Sequence, residues 1–428
     1  MIATLFVTFI LLLACSFPIA VSQSFASMFL IFGNAPLSLE SFTKAIMSGF
    51  SSFTLVAIPL FTFAGDIMGK GGISKRLINV AKLSLGNRTG GLGIVSIVAC
   101  MIFAVISGTG SATVAAIGLI RIPEMLEAGY DRAYSASLVA TAGTIGTIIP
   151  PSICMVVYAI VAGCSVTAMF TAGFPVGILV GAVLCIYRAL SCRKRGYKPV
   201  YVKYTAKDWV KTIVEAIPSF LVSVIILGGI YGGIFTPTEA AAAGCVLGVI
   251  ISVFVCKEVK LSDIPYMALR SVIISAPVMF IIGVSTGFGR VLAITQMPSM
   301  IAEGILGITS NSVLLRILIN LLLLLVGTFM ETNAAIIILT PILLPIVTAL
   351  GINPIHFGMI MILNLAIGFI TPPLGANLFM ASEISRVKFE TLAKTIWPWI
   401  GAMIVVLIII TYIPQISLFL PQMMGLLG

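Results

Sequence analysis

Along most of this chain, apolar residues come in unbroken runs instead of alternating with polar ones. Such runs recur at 2–21, 51–68, 92–107, 112–122, 135–149, 152–187, 212–235, 239–256, 269–289, 298–308, 312–330, 334–350, 355–370, 374–382, 396–413 and 415–428. A bilayer core about 30 Å thick takes roughly 20 apolar residues per helix. Several runs reach that length, and 152–187 is long enough for two helices. Others stop at ten to fifteen residues, the length of re-entrant hairpins and broken helices inside a membrane protein. The pattern predicts an all-α polytopic membrane protein with on the order of a dozen crossings and short loops.

The interruptions carry the chemistry. Residues 106–113 read ISGTGSAT, in which Ser107, Gly108, Thr109, Gly110, Ser111 and Thr113 are tiny or bear hydroxyls. Residues 143–151 read GTIGTIIPP. Pro150 and Pro151 lack N–H groups, so carbonyls one turn earlier lose their helical donors. Unpaired carbonyls are costly in hydrocarbon, and such backbone survives where it lines a cavity or binds something. Hydroxyl and carbonyl oxygens suit a hard cation.

The same design occurs twice. Shifting the chain by 222 residues aligns 112–159 with 334–381 without a gap, and ten of those 48 positions are identical. Shared apolar composition alone does not readily align three prolines (Pro123/Pro345, Pro150/Pro372, Pro151/Pro373) and two glycines (Gly129/Gly351, Gly146/Gly368). The second half thus has its own polar break, Glu331, Thr332 and Asn333, and its own unwound helix at 368–377. Paired halves broken by Gly and Pro at matching positions point to a secondary transporter with its site at the repeat interface. The repeat alone leaves open whether the halves are inverted.

Composition agrees. Only 9% of the 428 residues are charged against 60% apolar, with a mean hydropathy of +1.20. A soluble domain has about a quarter of its residues charged, so lipid is the expected solvent. The 24 Lys and Arg outnumber 14 Asp and Glu, but they sit in short loops beside apolar runs, where cations set topology. The richest loop, 188–211, holds Arg188, Arg193, Lys194, Arg195, Lys198, Lys203, Lys207 and Lys211 against Asp208, and is expected in the cytoplasm. Residues 1–22 lack a positive start and a small-x-small cleavage site, so they read as a membrane helix instead of a signal peptide. The eight cysteines show no CxxC spacing, His356 is the one histidine, and no HExxH, GxSxG or GxxxxGK[ST] motif is present. Enzymatic activity, nucleotide drive, a transition metal and an organic cofactor are therefore not expected.

With these residues in view, the chain resembles the large membrane subunit of TRAP (tripartite ATP-independent periplasmic) transporters over nearly its whole length. The most specific segments are GIFTPTEAAA at 233–242, LTPILLP at 339–345, NPIHFG at 353–358, NLAIG at 364–368 and TPP at 371–373. The resemblance implies a sodium-driven importer of an organic acid anion, such as a C4-dicarboxylate or a sialic acid, in the bacterial inner membrane. It implies inverted repeats, each with a re-entrant hairpin and a broken helix, in a transport domain that moves as an elevator against a scaffold. It also implies two partners, a small four-helix membrane subunit on a separate polypeptide and a periplasmic solute-binding protein. On this basis 1–90 and 212–310 are scaffold, 91–187 and 311–395 the two transport repeats, 188–211 a basic cytoplasmic loop, and 396–428 C-terminal helices. A binding-protein-independent sodium/carboxylate symporter is the alternative.

The candidate sodium ligands are Ser107, Gly108, Thr109, Ser111, Thr113, Gly146, Thr147, Glu331, Thr332, Asn333, Gly368 and Thr371. Ser111, Pro150, Asn333, Pro372, Asn377 and Arg290 are the candidates for the organic acid. Each has a plainer reading. The small hydroxyl residues also let helices approach closely, and Arg290 either snorkels at a helix end or forks onto a carboxylate. Glu331 ligates sodium, shapes the field, or orients its hairpin; intramembrane carboxylates usually face a polar cavity. Thr236, Pro237 and Glu239 fit a helix-capping box, and Arg121 with Glu124 fits closure of a hairpin at the membrane edge.

Overall fold

The computed structural model describes residues 2–15, 17–33, 37–85, 91–195, 205–295 and 311–427. The run at 298–308 and the middle of the basic loop, 196–204, lie outside the described residues. Among the described residues every regular element is a helix, as hydrocarbon demands of backbone that must satisfy itself. Among the described residues seven helices are long and apolar enough to cross a membrane, among them Val166–Ser191, Ala206–Tyr231 and Leu261–Ile294, or eight if the bent pair Phe389–Thr395 and Trp397–Tyr412 is one span. That is fewer than run-counting gives, because the Gly/Pro breaks divide two further crossings into half-helices. The 152–187 run does split into two, Ile153–Ala162 and Val166–Arg195, at Gly163, which takes a left-handed conformation.

The N-terminal run divides differently from the expectation. Helix Ile2–Ala14 stops before Pro18, and a new helix, Ile19–Phe32, starts on it; proline's fixed φ and missing N–H end one helix and suit the start of the next. Helices Leu39–Phe50 and Ile73–Leu85 also appear. Their polar residues break a run without breaking a helical stripe, so a search for continuous apolarity passes over them. The 236–239 segment forms the capping box: Thr236 Oγ1 accepts from Glu239 N–H at 3.3 Å and Thr236 N–H donates to the Glu239 carboxylate at 2.8 Å.

The repeat seen in sequence is a repeat of structure. Hairpin 1 consists of Gly91–Ser107 and Gly110–Glu127, hairpin 2 of Ser312–Phe329 and Thr332–Ala349. The second arms begin and end 222 residues apart. Broken helix 1 is Arg132–Gly143 followed by Ile153–Ala162, and broken helix 2 is Pro354–Gly368 followed by Ala376–Ser385. Each opens on an equivalent cap: Asp131 accepts from Tyr134 N–H and Asn353 from Ile355 N–H, both at 2.8 Å. Both breaks contain a cis Pro-Pro bond, Pro150–Pro151 and Pro372–Pro373.

The two broken helices run antiparallel. Arg132, at the start of the first, donates to the Ser385 carbonyl at the end of the second (3.5 Å). Tyr158, near the end of the first, donates to the Pro354 carbonyl at the start of the second (2.6 Å). The hairpin bases, at 127–132 and 349–354, therefore lie at opposite ends of the molecule, and the halves are inverted. Charge separates the same two ends. Helix Ala57–Lys70 lies with its last turns beside the tip half of hairpin 1, where Gly65 abuts Ser107. Lys82 (paired with Glu124 at 2.9 Å), Arg132 and Arg188 gather at the hairpin 1 base. Arg316 lies near the opposite base, on the first arm of hairpin 2.

Candidate functional site

Each hairpin tip meets a helix break. At tip 1, Gly108 adopts φ +62°, which only glycine takes easily, and its carbonyl accepts from Ile153 N–H at 3.3 Å. A Cβ on Gly108 would press on the Pro151 carbonyl. Ser107 and Thr113 hydroxyls bond each other at 2.9 Å, and Thr113 also donates to the Thr109 carbonyl at 2.7 Å. A Cβ on Gly146 would collide with the Thr109 carbonyl and Thr113 Oγ1. Five of the expected sodium ligands, Ser107, Gly108, Thr109, Thr113 and Gly146, are thus brought together. Ser111 stands on the next face, half-buried and with no hydrogen bond among the described residues.

The carbonyls freed by Pro150 and Pro151 are partly reclaimed. Ser152, fully buried, donates to the Thr147 carbonyl at 2.7 Å, and Thr147 Oγ1 donates to the Thr144 carbonyl at 2.8 Å. In the second break, Asn377 N–H donates to the Phe369 carbonyl at 3.0 Å and Thr371 Oγ1 to the Ile367 carbonyl at 2.8 Å.

Tip 2 leaves two of its oxygens without partners. The Glu331 carboxylate caps its helix, accepting from Ala334 N–H at 3.0 Å and from the Asn333 amide at 2.9 Å. Thr332 is fully buried, yet its hydroxyl has no partner, and the Asn333 amide oxygen has none either. Gly368, the equivalent of Gly146, packs against hairpin 2 so closely that a Cβ would overlap the Gly327 backbone.

The halves also exchange elements. Half-helix Ala376–Ser385 packs against hairpin 1, and Ile153–Ala162 against the second arm of hairpin 2. Asn377, fully buried, crosses into the first half: its amide nitrogen donates to the Ala140 carbonyl at 3.3 Å beside Gly110, and its amide oxygen is unpartnered. The centre thus joins hydroxyls, carbonyls and amides from both repeats, with N-termini of two half-helices directed at it. Such N-termini favour anionic groups; the oxygens favour a hard cation.

Known proteins place this arrangement. The chain matches the family described as "Tripartite ATP-independent periplasmic transporter, DctM component" over residues 6–416. It belongs to that family. The chain is a TRAP large permease, a transporter subunit and not an enzyme. Among its relatives is the isethionate TRAP transporter permease protein DctMQ of Oleidesulfovibrio alaskensis, 44% identical over 97% of this chain; the chain spans 65% of that relative's length. The C4-dicarboxylate TRAP transporter large permease protein DctM of Pseudomonas aeruginosa is 40% identical over 92% of each chain. The sialic acid TRAP transporter large permease protein SiaM of Vibrio cholerae is 36% identical over 96% of each. Among solved structures, the YdaH transporter of Alcanivorax borkumensis superposes with a TM-score of 0.67 at 15% identity, covering 91% of each chain; this likeness concerns the fold alone.

Within this TRAP permease, Arg290 does not join the cluster. It is exposed near the end of helix Ile264–Ile294, whose neighbouring Phe288 and Val291 pack with Ile338 on hairpin 2. Pro150 is buried in the first break, while Pro372 and Thr371 are half-buried in the second. Sequence reasoning passed over Asn364, one helical turn before Gly368. Asn364 is fully buried, donates to Asn320 at 2.9 Å and to the Ile360 carbonyl at 2.8 Å, and has an unpartnered amide oxygen. Its place in the NLAIG segment, a lone amide in an apolar run, was the available signal.

Proposed function

We propose that this chain is the large permease of a sodium-driven importer for an organic acid anion in the bacterial inner membrane. It works with a small four-helix membrane subunit and a periplasmic solute-binding protein. The observation that carries the reading is the meeting, midway between opposite hairpin bases, of two helix breaks and two hairpin tips that leave Thr332, Asn333 and Asn377 oxygens buried without partners. Buried polar atoms without partners are costly, and a bound cation would give these oxygens one. Relatives named for isethionate, C4-dicarboxylate and sialic acid support an acidic solute.

Residues 91–187 and 311–395 form the moving transport domain, and 1–90 with 212–310 its scaffold. The cation-rich end is cytoplasmic by the excess of Lys and Arg in its loops, so hairpin 1 opens from the cytoplasm and hairpin 2 from the periplasm. Elevator movement of the transport domain carries the central site between the two sides. Sodium and anion bound side by side each improve the other's site, so sodium raises solute affinity and solute raises sodium affinity by the same factor.

Proteoliposomes holding the chain, the small subunit and the solute-loaded binding protein test this. An inward sodium gradient drives accumulation of the solute, and the permease chain alone shows negligible uptake. Equal uptake in potassium with a proton gradient or ATP as sole driver would refute the coupling. Vigorous uptake by the isolated chain would make it a binding-protein-independent symporter.

A further inference from the structure

Arg188, far from the central site, is fully buried. One nitrogen, Nη2, donates to the Tyr130 hydroxyl at 2.9 Å, and the guanidinium lies 6.0 Å from the Tyr130 ring centre. Nε and Nη1 have no partner, and among the described residues no carboxylate pairs with this arginine. An uncompensated buried cation is among the most costly features a fold can carry. Apart from Tyr130, the element packed on it adds positive potential. The guanidinium lies directly on the first turn of hairpin 1, helix Gly91–Ser107, so closely that a Cβ on Gly93 would collide with Nε. The N–H groups of that turn have no acceptor inside their helix, and its dipole presents positive charge there.

A buried guanidinium fork, a tyrosine hydroxyl and a helix N-terminus converge here, and among the described residues no carboxylate pairs with the guanidinium. We propose that they form an anion site for a phosphate group, the chemistry that a planar fork and a helix N-terminus both match. The site lies at the hairpin 1 base, in whose closing turn Tyr130 stands. Tyr187 packs edge-on against Trp399 at 4.7 Å, and Tyr134 packs on Trp399 at 5.8 Å and on Tyr130 at 6.5 Å. Ile186 and Leu190, flanking Arg188 on its helix, are exposed as lipid-facing residues would be. The phosphate therefore comes from an anionic phospholipid of the cation-rich leaflet or from free phosphate on that side. The inference is independent of what the central site carries.

Thermal unfolding of the full chain, delipidated in detergent, tests it with phosphatidylglycerol, inorganic phosphate, or phosphate-free diacylglycerol added. Phosphatidylglycerol raises the wild-type melting temperature by several degrees, through binding to the folded state, and diacylglycerol does not. Inorganic phosphate reproducing the shift assigns the site to the free ion; failing to, it assigns the site to the lipid. Arg188→Met removes the buried charge at similar volume, so without additive it melts no lower than wild type and gains nothing from either phosphate source. Arg188→Lys keeps the charge without the fork and responds weakly, which serves should the Met variant not fold. A wild type indifferent to both phosphate sources, or full responses in both variants, overturns the proposal.

Discussion

The two repeats share a backbone plan and differ in how their polar groups are used. Repeat 1 closes on itself: tip hydroxyls bond each other and a carbonyl, and every residue of its break from Ile148 to Ser152 is buried. Its base is clasped by Arg121, fully buried, which donates to Ser96 Oγ at 3.1 Å and the Leu92 carbonyl at 2.8 Å and pairs with Glu124. Repeat 2 puts Leu343 and Ile346 where repeat 1 has Arg121 and Glu124. Its break reaches the surface at Pro373 and Leu374, and its tip holds Thr332 and Asn333 oxygens in reserve. One backbone plan thus serves two arrangements of polar groups: one half is braced, and the other leaves buried oxygens without partners.

The largest break of this comparison is at the clasp. Arg121→Ala leaves Glu124 with Lys82 as its partner and empties a fully buried site. Losing one member of such a buried pair costs about 3–5 kcal/mol, and the lower end is expected because Glu124 is partly exposed. Chemical denaturation in micelles reads the loss, and Leu343→Met at the equivalent position in repeat 2 costs less than about 1.5 kcal/mol. Comparable costs at the two positions would remove the asymmetry between the braced and unbraced bases.

Next come the paired glycines, Gly146 and Gly368, where each break touches its own hairpin. An added methyl meets the Thr109 carbonyl and a rotatable Thr113 hydroxyl at the first, but only Gly327 backbone at the second. Overpacking costs about 1–3 kcal/mol, with Gly368→Ala at the upper end and Gly146→Ala below it. Uptake in proteoliposomes falls with both, since both methyls pry a tip from its break. Normal stability and uptake in Gly368→Ala would mean that hairpin 2 is not seated on its break as described.

The 222-residue offset, the paired breaks and the Thr236 capping box were legible in sequence because each rests on residues with local consequences: proline without a donor, glycine without a Cβ, threonine three positions before glutamate. Inversion was legible only through the family resemblance and not in the repeat itself, since it depends on which ends meet, and that is fixed by distant contacts such as Tyr158 with Pro354. The placement of Asn377 inside the first repeat, and the burial of Arg188 and Asn364, are likewise tertiary. A sequence displays a polar side chain in an apolar run; only packing decides whether that side chain finds a partner. The helices at 39–50 and 73–85 were hidden for a different reason, their amphipathic stripes lying below a search for unbroken apolarity.

The finest test separates the two tips by one hydroxyl each. Thr→Val keeps the shape and removes the oxygen. At Thr113 that oxygen bonds both Ser107 and the Thr109 carbonyl, so Thr113→Val costs about 1 kcal/mol for the lost hydrogen bonding and unseats tip 1. At Thr332 the hydroxyl has no partner although fully buried. Removing an unsatisfied buried group relieves its desolvation penalty, so Thr332→Val leaves stability unchanged or slightly raised in the absence of sodium. Its effect belongs to function: the sodium concentration needed for half-maximal uptake rises several-fold, while wild type gains more stability from added sodium than the variant does. Measuring melting temperature and sodium dependence on both variants gives opposite signatures, stability at tip 1 and coupling at tip 2. If Thr332→Val transports with unchanged sodium dependence, the free hydroxyl is not a ligand, and the cation is held by the carbonyls of the breaks instead.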